Sequence, residues 1–97
     1  MKITKAASVG TLESNDISIR IEPNEKKSIE ISLESVVEKQ YGKQIKKVIM
    51  DTLKSLKVEG ATINAVDKGA LDCVIKARVE TAVMRASNGA KFNWGEE

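Results

Sequence analysis

Two stretches of strict alternation constrain this chain more than any other feature. In "DISIRIE", residues 16 to 22, Ile17, Ile19 and Ile21 alternate with Ser18, Arg20 and Glu22. In "SIEISLE", residues 28 to 34, Ile29, Ile31 and Leu33 alternate in the same way. Successive side chains of a strand point to opposite faces, so each stretch predicts a strand with one apolar face. "PNEKK" between them is turn chemistry, and pairing Ile21 with Ile29 keeps the isoleucines on one face with Pro23 to Lys27 as the loop. The same test applied upstream pairs Leu12 with Ile17 and leaves Glu13-Ser14-Asn15-Asp16 as a hairpin connection, which predicts Ser14 at an exposed tip. A tighter turn would set Glu13 opposite Asp16, a like-charge pair.

Beyond residue 34 the period changes. Residues 35 to 57 predict a helix: Ser35 and Glu38 have capping-box spacing, and at about 100° per residue Val37, Tyr41, Ile45, Val48, Thr52 and Leu56 form one stripe. Gly42 within it costs roughly 1 kcal/mol against alanine, which points to a close backbone contact. The opposite arc carries Lys39, Lys43, Lys46, Lys47, Lys54 and Lys57, by default a solvated face and alternatively a docking surface. "GATINAV" predicts a short strand. A second helix is expected from about Ala70 to Ser87, stopped by Asn88-Gly89, with Leu71, Ile75, Ala82 and Ala86 facing inward. Arg78 projects into the same arc and requires an anionic or carbonyl partner. "AKFNWGEE" holds the only Phe and Trp, and residues 89–97 are expected to be an irregular tail.

The expected fold is therefore α+β, a two-layer sandwich of a mainly antiparallel four-stranded sheet and two helices in the order βββαβα. If its strand–helix–strand portion is parallel, the crossover should be right-handed. With 97 residues the chain forms one domain, 1–97. It has neither an apolar run long enough to cross a membrane nor a signal peptide, so the expected compartment is the cytoplasm.

Composition narrows the chemistry. There is no histidine, and 16 basic against 14 acidic residues give a net charge of +2. Without histidine, acid–base catalysis near neutral pH would need deeply buried carboxylates or lysines, and a domain this small has little depth for them. Cys73, the one cysteine, cannot form an internal disulfide or join an ordinary zinc site. It lies about 200° round the second helix from Leu71, near the end where the dipole favours a thiolate, but no histidine can activate it. "DKGALD" offers Lys68 and Gly69 as a phosphate-contacting turn, but one glycine without a Walker pattern reads better as helix initiation. These features favour a protein that is acted upon.

"VGTLESNDI" at 9 to 17, "VEKQYGKQI" at 37 to 45 and "VDKGALDCVIKARVE" at 66 to 80 together resemble the acyl carrier, or gamma, subunits of citrate lyase. The likeness extends over nearly the whole chain in order and length. It implies that Ser14, the serine of the "LES" tip, carries a phosphoribosyl-dephospho-CoA prosthetic group through a phosphodiester, making the chain a phosphoprotein. It implies a non-catalytic carrier of acetyl and citryl thioesters, working with the alpha (transferase) and beta (lyase) subunits while citrate is cleaved to acetate and oxaloacetate. A prosthetic-group transferase would load it. Neither nucleic acid nor membrane is expected as a partner. The related carrier of malonate decarboxylase is the nearest alternative. A small nucleic-acid-binding α+β domain using the lysine arc is a more distant one, weakened by strands without aromatics to stack bases. A fatty-acid-type phosphopantetheine carrier is disfavoured, because its serine begins a helix in a helical bundle whereas Ser14 lies between strands.

Overall fold

The computed structural model describes residues 1–87; the Asn88-Gly89 stop and the 89–97 tail fall outside them. The elements are β1 (Ala7–Val9), β2 (Ile17–Glu22), β3 (Ile29–Ser35), α1 (Glu38–Ser55), β4 (Ala61–Asp67) and α2 (Asp72–Ala86). The architecture is α+β, with four strands in one sheet and both helices packed against it and each other. Ile17, Ile19 and Ile21 of β2 and Ala61, Ile63 and Ala65 of β4 meet Ile45, Ile49 and Leu53 of α1 and Ile75, Val79 and Val83 of α2 in the core. Fully burying an isoleucine or leucine of this kind contributes roughly 1.5–3 kcal/mol, so this shared core of strand and helix residues is the main source of cohesion.

The sheet differs from expectation in order and direction. Its strands stand as β1-β2-β4-β3, and it is mixed rather than mainly antiparallel: β1–β2 and β2–β4 are antiparallel, β3–β4 parallel. Ile21 pairs with Ile63, and Ile31 pairs with Ile63 from the other side. The expected Ile21–Ile29 hairpin does not form. Alternation dictates which face a strand buries and is silent about its neighbours, so β4 can enter between β2 and β3 without exposing any isoleucine. Burial follows the order. The inward apolar positions Ile17, Ile19 and Ile21 of β2 and Ala61, Ile63 and Ala65 of β4 are buried, whereas Ile29, Ile31 and Leu33 of the edge strand β3 are half-buried.

The first hairpin forms in another register, with Val9 opposite Ile19. Leu12 does not pair with Ile17; it is 62% exposed. Gly10 sets this geometry: its φ is +94°, and a Cβ there would lie 1.9 Å from the Ile17 carbonyl oxygen. Only glycine combines that angle with that approach.

Helix α1 starts at Glu38 and has no side-chain cap. The expected capping box is absent because Ser35 ends β3 instead, donating Oγ to Asp67 Oδ2 at 2.8 Å and accepting the Val37 amide at 3.0 Å. The buried stripe runs through Ile45, Ile49, Thr52 and Leu53, displaced from the expected one, so that Tyr41 is 54% exposed. Gly42 is buried, and Lys39, Lys43, Lys46, Lys47, Lys54 and Lys57 are all exposed. On α2, Ile75, Ala82 and Ala86 are buried as expected, joined by Val79 and Val83. Leu71 is the N-cap and is exposed. No described helix is long and apolar enough to cross a membrane.

Candidate functional site

Ser14 lies in the connection between β1 and β2. Glu13 to Asp16 form a turn closed by the Asp16 amide donating to the Glu13 carbonyl at 3.2 Å. Asn15, third in the turn, has φ +67°, a left-handed conformation that asparagine tolerates better than most residues. Ser14 is exposed. Among the described residues its hydroxyl makes no hydrogen bond, so it can be esterified without breaking one.

The residues around it are tied down. Asp16 is 9% exposed, and both its oxygens are committed. Oδ1 accepts the Ile17 amide at 2.7 Å and Arg78 Nε at 3.0 Å. Oδ2 accepts Arg78 Nη2 at 2.9 Å, Thr11 Oγ1 at 2.7 Å and the Thr11 amide at 3.2 Å. The two-bond guanidinium–carboxylate contact is the strong, directional form of ion pair. It supplies the anion that Arg78 requires. Thr11 Oγ1 also accepts the Glu13 amide at 3.2 Å. Across the loop the Asn15 amide donates to the Lys68 carbonyl at 2.8 Å, and the Lys68 amide to the Asp16 carbonyl at 2.9 Å.

This geometry governs the electrostatics. The Arg78 bonds, followed by those from Thr11 and the Ile17 amide, hold the Asp16 carboxyl well below the usual carboxylate range, against the opposing effect of burial. Such an acid stays ionised and is a poor proton acceptor near neutrality. The other buried aspartate, Asp67, is occupied by Ser35 and by the Gly69 and Ala70 amides at 3.1 and 2.9 Å. Both buried carboxylates thus serve as braces.

Asp67 pairs with Ile17 on one side and Ser35 on the other. That register brings the Ser14 turn, the start of α1 and the start of α2 to one end of the sheet. The exposed large apolar side chains Leu12, Val36, Tyr41 and Leu71 belong to these same segments. Gly69, with φ +94°, turns the chain from β4 towards α2, in keeping with a role in helix initiation. Cys73 is exposed in the first turn of α2. No group of three metal-ligating side chains occurs among the described residues.

Sequence reasoning placed Ser14 and required a partner for Arg78, but it missed Asp16, Thr11 and Asp67. Asp67 was legible in part, since it continues the inward phase of Ala61, Ile63 and Ala65. Asp16 looked like an ordinary turn former, and 62 residues separate it from Arg78.

Comparison with known proteins gives a consistent family. The family model described as malonate decarboxylase delta subunit (MdcD) matches residues 4–86. The citrate lyase acyl carrier protein of Streptococcus mutans is 52% identical over 99% of this chain and 94% of its own length. That of Vibrio cholerae is 49% identical over 99% and 98%, and that of Clostridium perfringens 50% identical over 98% and 94%. Among solved structures, a chain of a Pseudomonas malonate decarboxylase hetero-tetramer in complex with malonate superposes with a TM-score of 0.75 over 84% of both chains, at 20% identity, a likeness of fold. Half of all residues shared with several carriers over nearly the whole chain settles the relationship: this chain belongs to the citrate lyase acyl carrier protein family.

Proposed function

We propose that this chain, acting as one carrier domain over 1–97, is the acyl carrier subunit of a cytoplasmic citrate lyase, and that Ser14 bears a phosphoribosyl-dephospho-CoA arm through a phosphodiester at Oγ. The single observation that carries the attachment point is the exposed Ser14 hydroxyl, without a hydrogen bond among the described residues, on a turn whose flanking residues are fastened. When bound, the group supplies the thiol on which acyl groups travel as thioesters.

The chain itself supplies an anchor. Its sheet fixes the ends of the turn, Asp16 and Lys68 hold the turn's shape, and Ser14 faces solvent where a loading enzyme can reach it. Anchoring raises the effective concentration of the arm at the transferase and lyase subunits. Acid–base chemistry falls to those partners, since the chain has no histidine and its buried aspartates are occupied.

A second reading, the equivalent subunit of malonate decarboxylase, is favoured by the matching family model and the structural neighbour. The near-50% identities to citrate lyase carriers favour the first.

The test is intact mass after co-expression with the prosthetic-group transferase. Wild type is expected to gain one arm. Ser14→Ala is expected to fold with a stability change under about 0.5 kcal/mol and to gain none. Cys73→Ser is expected to load normally. Loading of the alanine variant, or loss of loading only in the Cys73 variant, would place the arm elsewhere. Mixing the loaded chain, its arm thiol first acetylated with an activated acetyl donor, with citrate lyase alpha and beta subunits should restore citrate cleavage; activity only with malonate decarboxylase subunits selects the second reading.

A further inference from the structure

We propose that Arg78 is a positioning residue for loading: its two-bond grip on Asp16 presets the Glu13–Asp16 turn in the shape that the loading enzyme accepts. This rests on the attachment reading above.

Three observations lead there. First, the loop is ordered without a hydrophobic reason, since Leu12 points to solvent. Fixing the backbone of an exposed loop costs about 1–2 kcal/mol per residue, and here polar bonds oppose that cost. Second, the bonds surround Ser14 and stop short of it. Thr11, Glu13, Asn15 and Asp16 are each tied through a backbone or side-chain group, while the Ser14 hydroxyl has no partner among the described residues. Third, the strongest bonds come from a distant element. Arg78 lies on α2, so the shape of the turn depends on the docking of a helix 62 residues away in sequence. A loading enzyme that fits this shape acts on the folded carrier and ignores the same residues in an unfolded chain.

The mechanism makes a kinetic prediction. If the competent shape is one member of the turn's ensemble, releasing it lowers the competent fraction, and apparent affinity falls by that fraction. Once bound, the turn is in the right shape and chemistry proceeds at its usual rate. Arg78→Met keeps the stem of the side chain and removes both bonds.

Full-length carriers would be loaded by the prosthetic-group transferase with its dephospho-CoA-derived donor, following initial rates by intact mass well below each variant's unfolding midpoint. For Arg78→Met, KM for the carrier is expected to rise about tenfold with kcat within about twofold. Arg78→Lys, retaining one donor, should fall between. Hydrogen exchange at the Asn15 amide, which donates to the Lys68 carbonyl, should quicken while β4 amides keep their protection.

A folded Arg78→Met with the wild-type KM, or with kcat reduced and KM unchanged, overturns the proposal. If Arg78→Met does not fold, Arg78→Lys decides, because it keeps a cation on α2 and removes one of the two bonds to Asp16. A raised KM with unchanged kcat supports the inference, and a wild-type KM overturns it. Ser14→Ala in the same assay separates the two readings. Its loading would refute the attachment point and the inference with it, whereas an unloaded Ser14→Ala beside a fully active Arg78→Met refutes the inference alone.

Discussion

The two connections that flank β2 look alike in sequence, both polar, both between alternating apolar runs, yet they behave differently. The Gly10–Asp16 connection joins neighbouring antiparallel strands and is held by a nearly buried carboxylate with five donors. The connection after β2 leads from a central strand to the far edge of the sheet, with β4 in between. Its side-chain ties are lighter. Asn24 Nδ2 donates to the Ser28 carbonyl and to Thr62 Oγ1 at 3.3 and 3.2 Å, and an exposed Lys26–Glu30 pair adds a contact at 3.2 Å. Asn24 Oδ1 is buried and has no hydrogen-bond partner among the described residues. One loop is built to hold a shape and the other to cover a distance. Polar loop composition alone does not separate the two tasks.

The sharpest way to break this comparison is at Gly10. Alanine there meets both a positive φ and a backbone oxygen 1.9 Å from its Cβ, so Gly10→Ala should destabilise by more than about 2 kcal/mol in urea unfolding. A loss under about 0.5 kcal/mol would show that the first loop is not rigidly specified.

Next comes Asp16→Ala, which strands the Ile17 amide and leaves Arg78 without its acceptor. Because the Arg78 side chain is 37% exposed and can recover water, the expected cost is about 2 kcal/mol rather than the larger figure for a fully buried pair. This cost depends on pH in a set direction. The folded-state pKa of Asp16 is depressed below its ordinary 3.8, so its stabilisation is complete above that value and declines as pH falls below it. Wild type and Asp16→Ala should therefore converge in stability below about pH 4, measured by urea midpoints across a pH series. A gap that persists undiminished far into acid would assign the loss to packing.

The smallest effect is expected in the second loop. Lys26→Ala removes an exposed pair and should change stability by less than about 0.5 kcal/mol. A larger loss would erase the contrast between the loops.

Alternation was enough to read β2 and β3, because a period of two has one physical solution when isoleucines must leave water. An exposed Ser14 between strands was legible too, although the Leu12–Ile17 pairing from which it was read does not form. So was the demand that Arg78 find an anion, since a guanidinium on an apolar arc cannot remain unpaired. The α1 stripe was legible only in outline, because both Tyr41 and Ile49 fit a helical period and packing chose Ile49. Ser35 read as a helix cap until the tertiary structure placed an aspartate beside it.

What the chain by itself determined, then, is which face each strand buries and which groups need partners. Only the tertiary structure decided who those partners are. Strand order depends on how β3, α1 and β4 return to the sheet, and the Asp16–Arg78 pair depends on where α2 then docks. Both are contacts between residues far apart in sequence, so no local period or propensity records them. The site inherits that division: its serine is local, and the shape in which the serine is presented is not.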